Sequence, residues 1–295
     1  MYLTGFADEA SADIDVQIRA TKELGWSHIE ARNVSVDGSP PQNLHDVPDE
    51  VFDKICARLD QAGVRVNCFG STIANWGKSI LDPFDITLAE VGRAIPRMQR
   101  LGTKLIRIMS YAVLKDRGPE DQEEQERFRR LRDIVKRFHD AGLTPVHENC
   151  MNYGGMGWKY TLRLLENVPG LKLVFDTGNP VFSKDYSYSP PLPHQSSWEF
   201  YQQVRDHVVY VHIKDGIIDQ NGKMQYTFPG EGAGDVRRIV ADLLHRGYDG
   251  GISIEPHLKA VFHDPSLTSE DAARYANYVE YGRRMERLIA ALRRA

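Results

Sequence analysis

Residues 140–149 read DAGLTPVHEN and residues 169–179 read PGLKLVFDTGN. In each, a glycine precedes a short apolar run that ends in acids, imidazole or amide. Glycine suits the left-handed residue just past a helix C-terminus, so each glycine ends one helix and launches a strand. The same unit recurs upstream as ELGWSHIEARN (23–33), QAGVRVNCFGS (61–71) and RLGTKLIRIMS (100–110). Its glycines are Gly25, Gly63, Gly102, Gly142 and Gly170; Gly247 follows, with the strand pattern HVVYVHIKDG (207–216) between. LTGFAD near the N-terminus and GGISIEP at 250–256 bring the count of strands to eight. Strands alternating with helical patterns pair in parallel through right-handed crossovers. Eight βα units in 295 residues predict an α/β protein, a single (β/α)₈ TIM barrel over residues 1–295 with its first and last units as neighbours.

The intervening segments fit helices. Residues 119–141 open with a proline and acids and turn basic toward the end, as helix termini prefer. A long helical pattern closes the chain at about 269–294. The proline-rich stretch 180–197 follows strand six; it is expected either to overhang the active face, as a lid or subunit contact, or to be a surface excursion.

Composition narrows the class. Hydrophobic residues make up 41%, charged residues 26%, and the net charge is −4. That balance suits a soluble globular protein and argues against a basic nucleic-acid-binding surface. The N-terminus MYLTGFADEA carries acids by position 8 with no basic lead-in, and no run approaches the roughly 18 apolar residues of a membrane span. Cys56, Cys68 and Cys150 are odd in number and far apart, which suits reduced thiols and a cytoplasmic location rather than a disulfide framework. Association into a homo-oligomer is an open expectation.

A barrel's chemistry sits at the C-terminal ends of its strands. Strand five ends at His147-Glu148-Asn149, strand six at Asp176, strand seven at His212, Lys214 and Asp215, and strand eight at Glu255 and His257. A buried cluster of three carboxylates repels itself unless a cation or protons compensate. Glu148, Asp176, His212 and Glu255 are therefore expected to hold one divalent ion, Mn²⁺ first, with Mg²⁺, Co²⁺ or Zn²⁺ as alternatives. Such an ion polarises a carbonyl and the neighbouring hydroxyl, stabilising the enediolate left when the adjacent C–H loses its proton. Returning that proton to the other face epimerises the carbon, returning it to the neighbouring carbon isomerises, and expelling a β-hydroxyl dehydrates. Glu148 and Glu255 are assigned as the acid/base pair, since flanking positions across the ion suit opposite faces; a base outside the ligand shell is the alternative, because a cation lowers a ligand's proton affinity.

Taken together, EARN after strand two, HEN after strand five, FDTGN after strand six, HIKDG and PGEG after strand seven and SIEPH in strand eight resemble the xylose-isomerase-like sugar-phosphate isomerase/epimerase superfamily. The resemblance runs from the opening GFADEAS to strand eight and includes ketose 3-epimerases, hydroxypyruvate and inosose isomerases and inosose dehydratase. It implies one metal on Glu148, Asp176, His212 and Glu255, with both glutamates also moving protons. Two positions depart from the family pattern. Asn179 stands where a His commonly follows the strand-six Asp, and Glu148-Asn149-Cys150 replaces ENH.

Secondary candidates lie around that core. Lys214 suits an oxyanion, phosphate or carboxylate, or is a surface lysine. His257 is expected to orient Glu255 or touch substrate hydroxyls, and Glu30 to bind a sugar hydroxyl. Arg107, inside the apolar LIRIM strand, needs an anionic partner, and Glu148 is the expected one. Trp76 and Trp158 are candidates for a wall against the sugar face, or for packing. PGEGAGD (229–235) resembles a phosphate-cradling loop but lacks the following Lys-Ser/Thr, so the expectation is a turn whose Asp235 caps the next helix. The expected function is isomerisation or epimerisation of a keto sugar or related polyol; the alternative is a lyase acting on a keto-inositol or 3-keto-glycoside. An abasic-DNA endonuclease wants more metals, more histidines and a basic surface. A sugar-binding module without turnover would have little reason to keep both glutamates.

Overall fold

The computed structural model describes residues 1–258 and 271–294. Eight strands run parallel: β1 (Tyr2–Gly5), β2 (His28–Ala31), β3 (Arg65–Gly70), β4 (Leu105–Ile108), β5 (Thr144–Glu148), β6 (Lys172–Asp176), β7 (Val208–Ile213) and β8 (Gly251–Ile254). Each hydrogen-bonds to the next from β2 to β8, and β8 pairs back onto β1 with Leu3 opposite Ile252. A parallel bridge between Phe6 and Glu30 draws β1 and β2 together, so the sheet curls round to meet itself. The TIM barrel expected from the repeating unit is the fold of the chain.

Helices α1 (Ile14–Glu23), α2 (Asp49–Ala62), α3 (Phe84–Leu101), α4 (Glu124–Asp140), α5 (Trp158–Asn167), α6 (Ser197–Val204), α7 (Val236–His245) and α8 (Asp271–Leu292) each follow one strand. Helix α1 shows the logic. Asp13 caps it through Asp15 and Val16 backbone N–H, and Ile14, Gln17, Ile18 and Thr21 form its buried stripe. All six glycines of the repeat adopt positive φ, between 66° and 84°. At Gly63 (φ 66°) the N–H closes α2 onto the Asp60 and Leu59 carbonyls, a conformation in which a side chain would be strained. The apolar core lies mostly between strands and helices; inside the barrel, Cys68, Val146, Val174 and Tyr210 fill the lower layer.

The boundaries differ from expectation in places. Helix α4 begins at Glu124 rather than 119, because the Gln122 side chain folds back onto the Leu114 N–H and carbonyl and Glu123 takes a left-handed φ of 54°. The expected 269–294 helix is present as Asp271–Leu292; residues 269 and 270 lie outside the described residues. Asp235 precedes α7 with φ 51° and makes no side-chain cap bond, against the expectation that it caps the helix. After β7 an antiparallel hairpin, Gly216–Ile218 with Met224–Tyr226, rises over the barrel end. No described helix is long and apolar enough to cross a membrane.

Candidate metal centre and active-site cavity

Alternate residues of a strand share a face, so β5, β6, β7 and β8 send Glu148, Asp176, His212 and, just past the strand, Glu255 to the barrel axis. One ligand atom from each of the four lies within 4.8 Å of all the others, and all four side chains are buried. Asp176 Oδ1 accepts from the Gly178 and Asn179 backbone N–H at 2.9 and 2.6 Å, which fixes the carboxylate. Its Oδ2 accepts no hydrogen bond; the nearest cation is the Lys214 ammonium at 3.3 Å, an ion-pair contact only. His212 Nε2 faces Glu30 Oε2 at 3.0 Å and Nδ1 faces Glu148 Oε1 at 3.3 Å. With Nε2–H donating to Glu30, Nδ1 is the nitrogen turned toward the other carboxylates, and it would offer its lone pair once a metal ion displaced its proton, the orientation a metal-ligating imidazole takes from its carboxylate partner. A bare buried carboxylate oxygen, an oriented imidazole and two further carboxylates fit a divalent ion.

Charges crowd this floor. Burial pushes Glu148 up, but Arg107 at 3.1 Å and His212 outweigh it and hold the carboxyl below its ordinary value. Burial likewise opposes ionisation of Glu255, and Lys214 at 2.7 Å, His257 and Arg32 overcome it and drive it well down. Asp176 goes the other way: burial raises it and Lys214 does not fully compensate, with Glu255 and Glu148 adding repulsion. Burial lowers His212, but Glu30 and Glu148 raise it to about 10.

The secondary candidates separate. Arg107 meets Glu148 as an ion pair and, with Lys214, His257 and Trp76, lines a cavity of about 1030 Å³ above the cluster. His257 Nδ1 lies 2.9 Å from Glu9 Oε1, with Nε2 3.7 Å from Glu255. Glu30 does not reach the cavity. It is fully buried beneath His212 and also accepts from the Tyr210 hydroxyl at 2.9 Å, since it sits one layer below the strand ends. Trp158 packs in the outer core with α5. The 229–235 loop cannot cradle a phosphate, because Asp215 takes its amides: Gly230, Gly232 and Gly234 N–H, with Gly216, all donate to that carboxylate at 2.8–3.0 Å. From the 180–197 stretch, Phe182 and Ser183 line the cavity, while Lys184 pairs with His194 and Tyr188 is exposed. The larger overhang is the 216–226 hairpin, through Lys223, Met224, Gln225 and Tyr226.

Sequence reasoning missed Arg32, Asp8 and Glu9. Arg32, past β2, donates to Asp8 (2.8 Å), Glu9 (2.9 Å) and Glu255 (2.8 Å) and lines the cavity. The signal was in FADE and EARN, at the ends of strands one and two, had the strand-end rule been applied there. The two family departures both line the cavity. Asn179 Nδ2 donates to Glu148 Oε1 at 3.3 Å, and Cys150 is a buried thiol in the cavity lining; Asn149 beside it, which does not depart, ties β5 to β6 by bonding the Asp176 N–H and carbonyl at 2.7 and 3.0 Å.

Fold and site together define a parallel (β/α)₈ barrel with a carboxylate–imidazole cluster, able to hold a metal, at the C-terminal mouth. The chain belongs to the xylose isomerase-like TIM barrel family, whose sequence profile matches residues 18–278. Among solved structures it is similar to the IolI protein with a bound zinc atom (12% identity, 99% of each chain covered, TM-score 0.72). It is also similar to D-psicose 3-epimerase with D-tagatose from Clostridium cellulolyticum H10 (14% identity, 98% of this chain and 99% of that one, TM-score 0.66). A third is the probable 3-DHS dehydratase AsbF of petrobactin synthesis from Bacillus anthracis (18% identity, 94% and 97% covered, TM-score 0.65). At these identities the likeness carries the fold alone. No curated protein matches the chain by sequence.

Proposed function

We propose that the protein is a metal-dependent isomerase or epimerase acting on a keto sugar or related polyol. The observation that carries this reading is the convergence of Glu148, Asp176, His212 and Glu255 within 4.8 Å of one another, beneath a cavity that Glu148 and Glu255 both line. Those four residues would hold the ion, Mn²⁺ first, and the ion would supply Lewis-acid stabilisation of the charge left on the deprotonated substrate. Glu148 and Glu255 take and return the proton on carbon. Their neighbours suit that work: Arg107 and Asn179 fix Glu148, while Arg32 and Lys214 grip the two oxygens of Glu255. The buried cations keep both carboxylates ionised, the form a base needs, while lowering their affinity for the proton they take.

A lyase acting on a keto-inositol or 3-keto-glycoside is the second reading, and Lys214 is the observation that favours it. Its ammonium lines the cavity beside Glu255, held charged by the surrounding carboxylates, and is placed to stabilise negative charge on a departing oxygen, which a one-carbon proton transfer does not need.

The test is proton NMR in heavy water over a panel of keto sugars, keto-inositols and 3-keto-glycosides. One of them is expected to exchange deuterium into a carbon beside its carbonyl, and the product distinguishes isomerisation, epimerisation and elimination. Glu255→Gln is expected to lower turnover by about 10²- to 10⁴-fold while substrate affinity falls far less. Equal losses of affinity and turnover would mean that Glu255 only holds the metal. Absence of exchange across the panel would favour a binding protein.

A further inference from the structure

We infer that the substrate carries, besides its polyol end, an apolar group of about the size of an aromatic ring, held in an outer chamber of the same cavity. This rests on the proposed sugar chemistry for the polyol end only. At about 1030 Å³ the cavity is at the upper end of the roughly 300–1,000 Å³ that encloses a drug-sized molecule, far more than a single sugar ring fills.

The cavity changes character with height. Its floor is ionic, built from Arg32, Arg107, Glu148, Lys214 and Glu255. Its upper walls are Trp76, Met151, Phe182, Met224 and Tyr226. The rings of Phe182 and Tyr226 meet edge to face at 5.1 Å, and Tyr226 meets the His257 ring in the same way at 5.0 Å. A continuous aromatic wall thus descends from the loop after β6, across the hairpin, to the ionic floor.

Trp76 sits on the loop after β3, and the hairpin follows β7, four places away in a ring of eight strands. The two apolar surfaces therefore belong to opposite sides of the mouth. Trp76, Met151 and Met224 are 36%, 51% and 48% exposed, a large apolar area to leave facing water at an active site. Two polar side chains at this height are turned to their own loops: Asn75 Oδ1 accepts from the Gly77 N–H, and Gln225 Nε2 donates to Asp219; Lys223 and Ser183 are the polar members of the rim.

Sugar hydroxyls placed between thioethers and ring faces would lose their water partners, at about 1–3 kcal/mol for each group left unpaired. An aromatic or similarly flat apolar group gains there instead. Thioether side chains adapt to varied shapes, so the chamber suits a class of such groups rather than one.

The test is calorimetric titration of the Mn²⁺-supplemented protein with matched phenyl and methyl β-D-glycosides of glucose, galactose and xylose. None has a free ketone, so the measurement does not depend on turnover. For at least one sugar the phenyl glycoside is expected to bind about 10- to 100-fold more tightly than its methyl counterpart, the gain from burying a ring of that size. Trp76→Ala and Met224→Ala together are expected to remove most of that preference, lowering phenyl glycoside affinity far more than methyl glycoside affinity. Trp76→Phe should keep it. Equal affinities, including no binding of either member of every pair, or a preference that survives the double substitution, overturns the inference. A phenyl preference without deuterium exchange on any keto compound would uphold the chamber while removing the proposed reaction.

Discussion

The Lys214 ammonium lies 2.7 Å from Glu255 Oε2 and 3.3 Å from Asp176 Oδ2, so a lysine and a divalent ion compete for the same two carboxylates. A unit charge about 4 Å away contributes several kcal/mol even at an effective dielectric near 20. Lys214→Met is therefore expected to tighten Mn²⁺ affinity by about tenfold or more and to destabilise the metal-free protein by about 3 kcal/mol. Calorimetric titration with Mn²⁺ and urea unfolding in chelator check the two halves; unchanged or weaker metal affinity would show that the ammonium does not compete. At this scale the four proposed ligands were legible because each ends an apolar run with a residue that needs a partner. Glu30 was misjudged by one layer: sequence gives the face of a strand residue but not its height in the barrel. Arg32, Asp8 and Glu9 follow strand ends in FADE and EARN and so carried a positional signal; their pairing with one another and with Glu255 did not, because it exists only once β1, β2 and β8 are neighbours.

Among the connecting elements, the glycine loop 229–235 is organised by a single side chain. Asp215 accepts four backbone N–H groups, and a Cβ on Gly232 would lie 2.3 Å from its Oδ1, so the loop needs both the carboxylate and the glycine. Asp215→Ala strands those donors and is expected to cost about 3 kcal/mol or more, read as a lower urea midpoint. The loop from β4 to α4 depends similarly on Arg127, a buried guanidinium bonded to the carbonyls of Ser110, Ala112 and Gln122. Arg127→Met is expected to destabilise by about 3–5 kcal/mol, because buried carbonyls lose a charged donor. A midpoint within error of wild type would contradict either account. Element type was readable from period and glycine placement, whereas the α4 start was not, because a side chain at Gln122 overrides the terminal preferences of Pro119 and its acids. The 216–226 hairpin did have a signal: Asn221-Gly222 between two short apolar runs is a hairpin turn pattern.

For the molecule as a whole, the closing seam is where chain ends meet. Helix α8 crosses β1 so closely that a Cβ on Gly5 would lie 2.4 Å from the Tyr278 hydroxyl and 2.6 Å from Ile254 Cγ1. Gly5→Ala is expected to cost about 1–3 kcal/mol by overpacking, and Tyr278→Phe in the same chain to recover part of it. Additive losses in urea unfolding would contradict that contact. The ring of eight strands was legible from the repeat alone, since each glycine–strand unit buries its apolar run only against copies of itself. The apolar upper cavity was not, because Trp76, Phe182 and Met224 lie in three separate loops whose convergence is a property of closure.

Every role proposed for the site depends on the four strand-end residues holding a metal ion. The direct measurement is metal content of the purified protein after equilibration with Mn²⁺ and removal of free ion, set beside Asp176→Asn. That variant keeps an oxygen for the Gly178 and Asn179 N–H groups but loses the bare anionic Oδ2. The prediction is one ion per chain in the wild type, with occupancy largely lost in Asp176→Asn at unchanged circular dichroism. No ion in the wild type, or full occupancy in the variant, would contradict it.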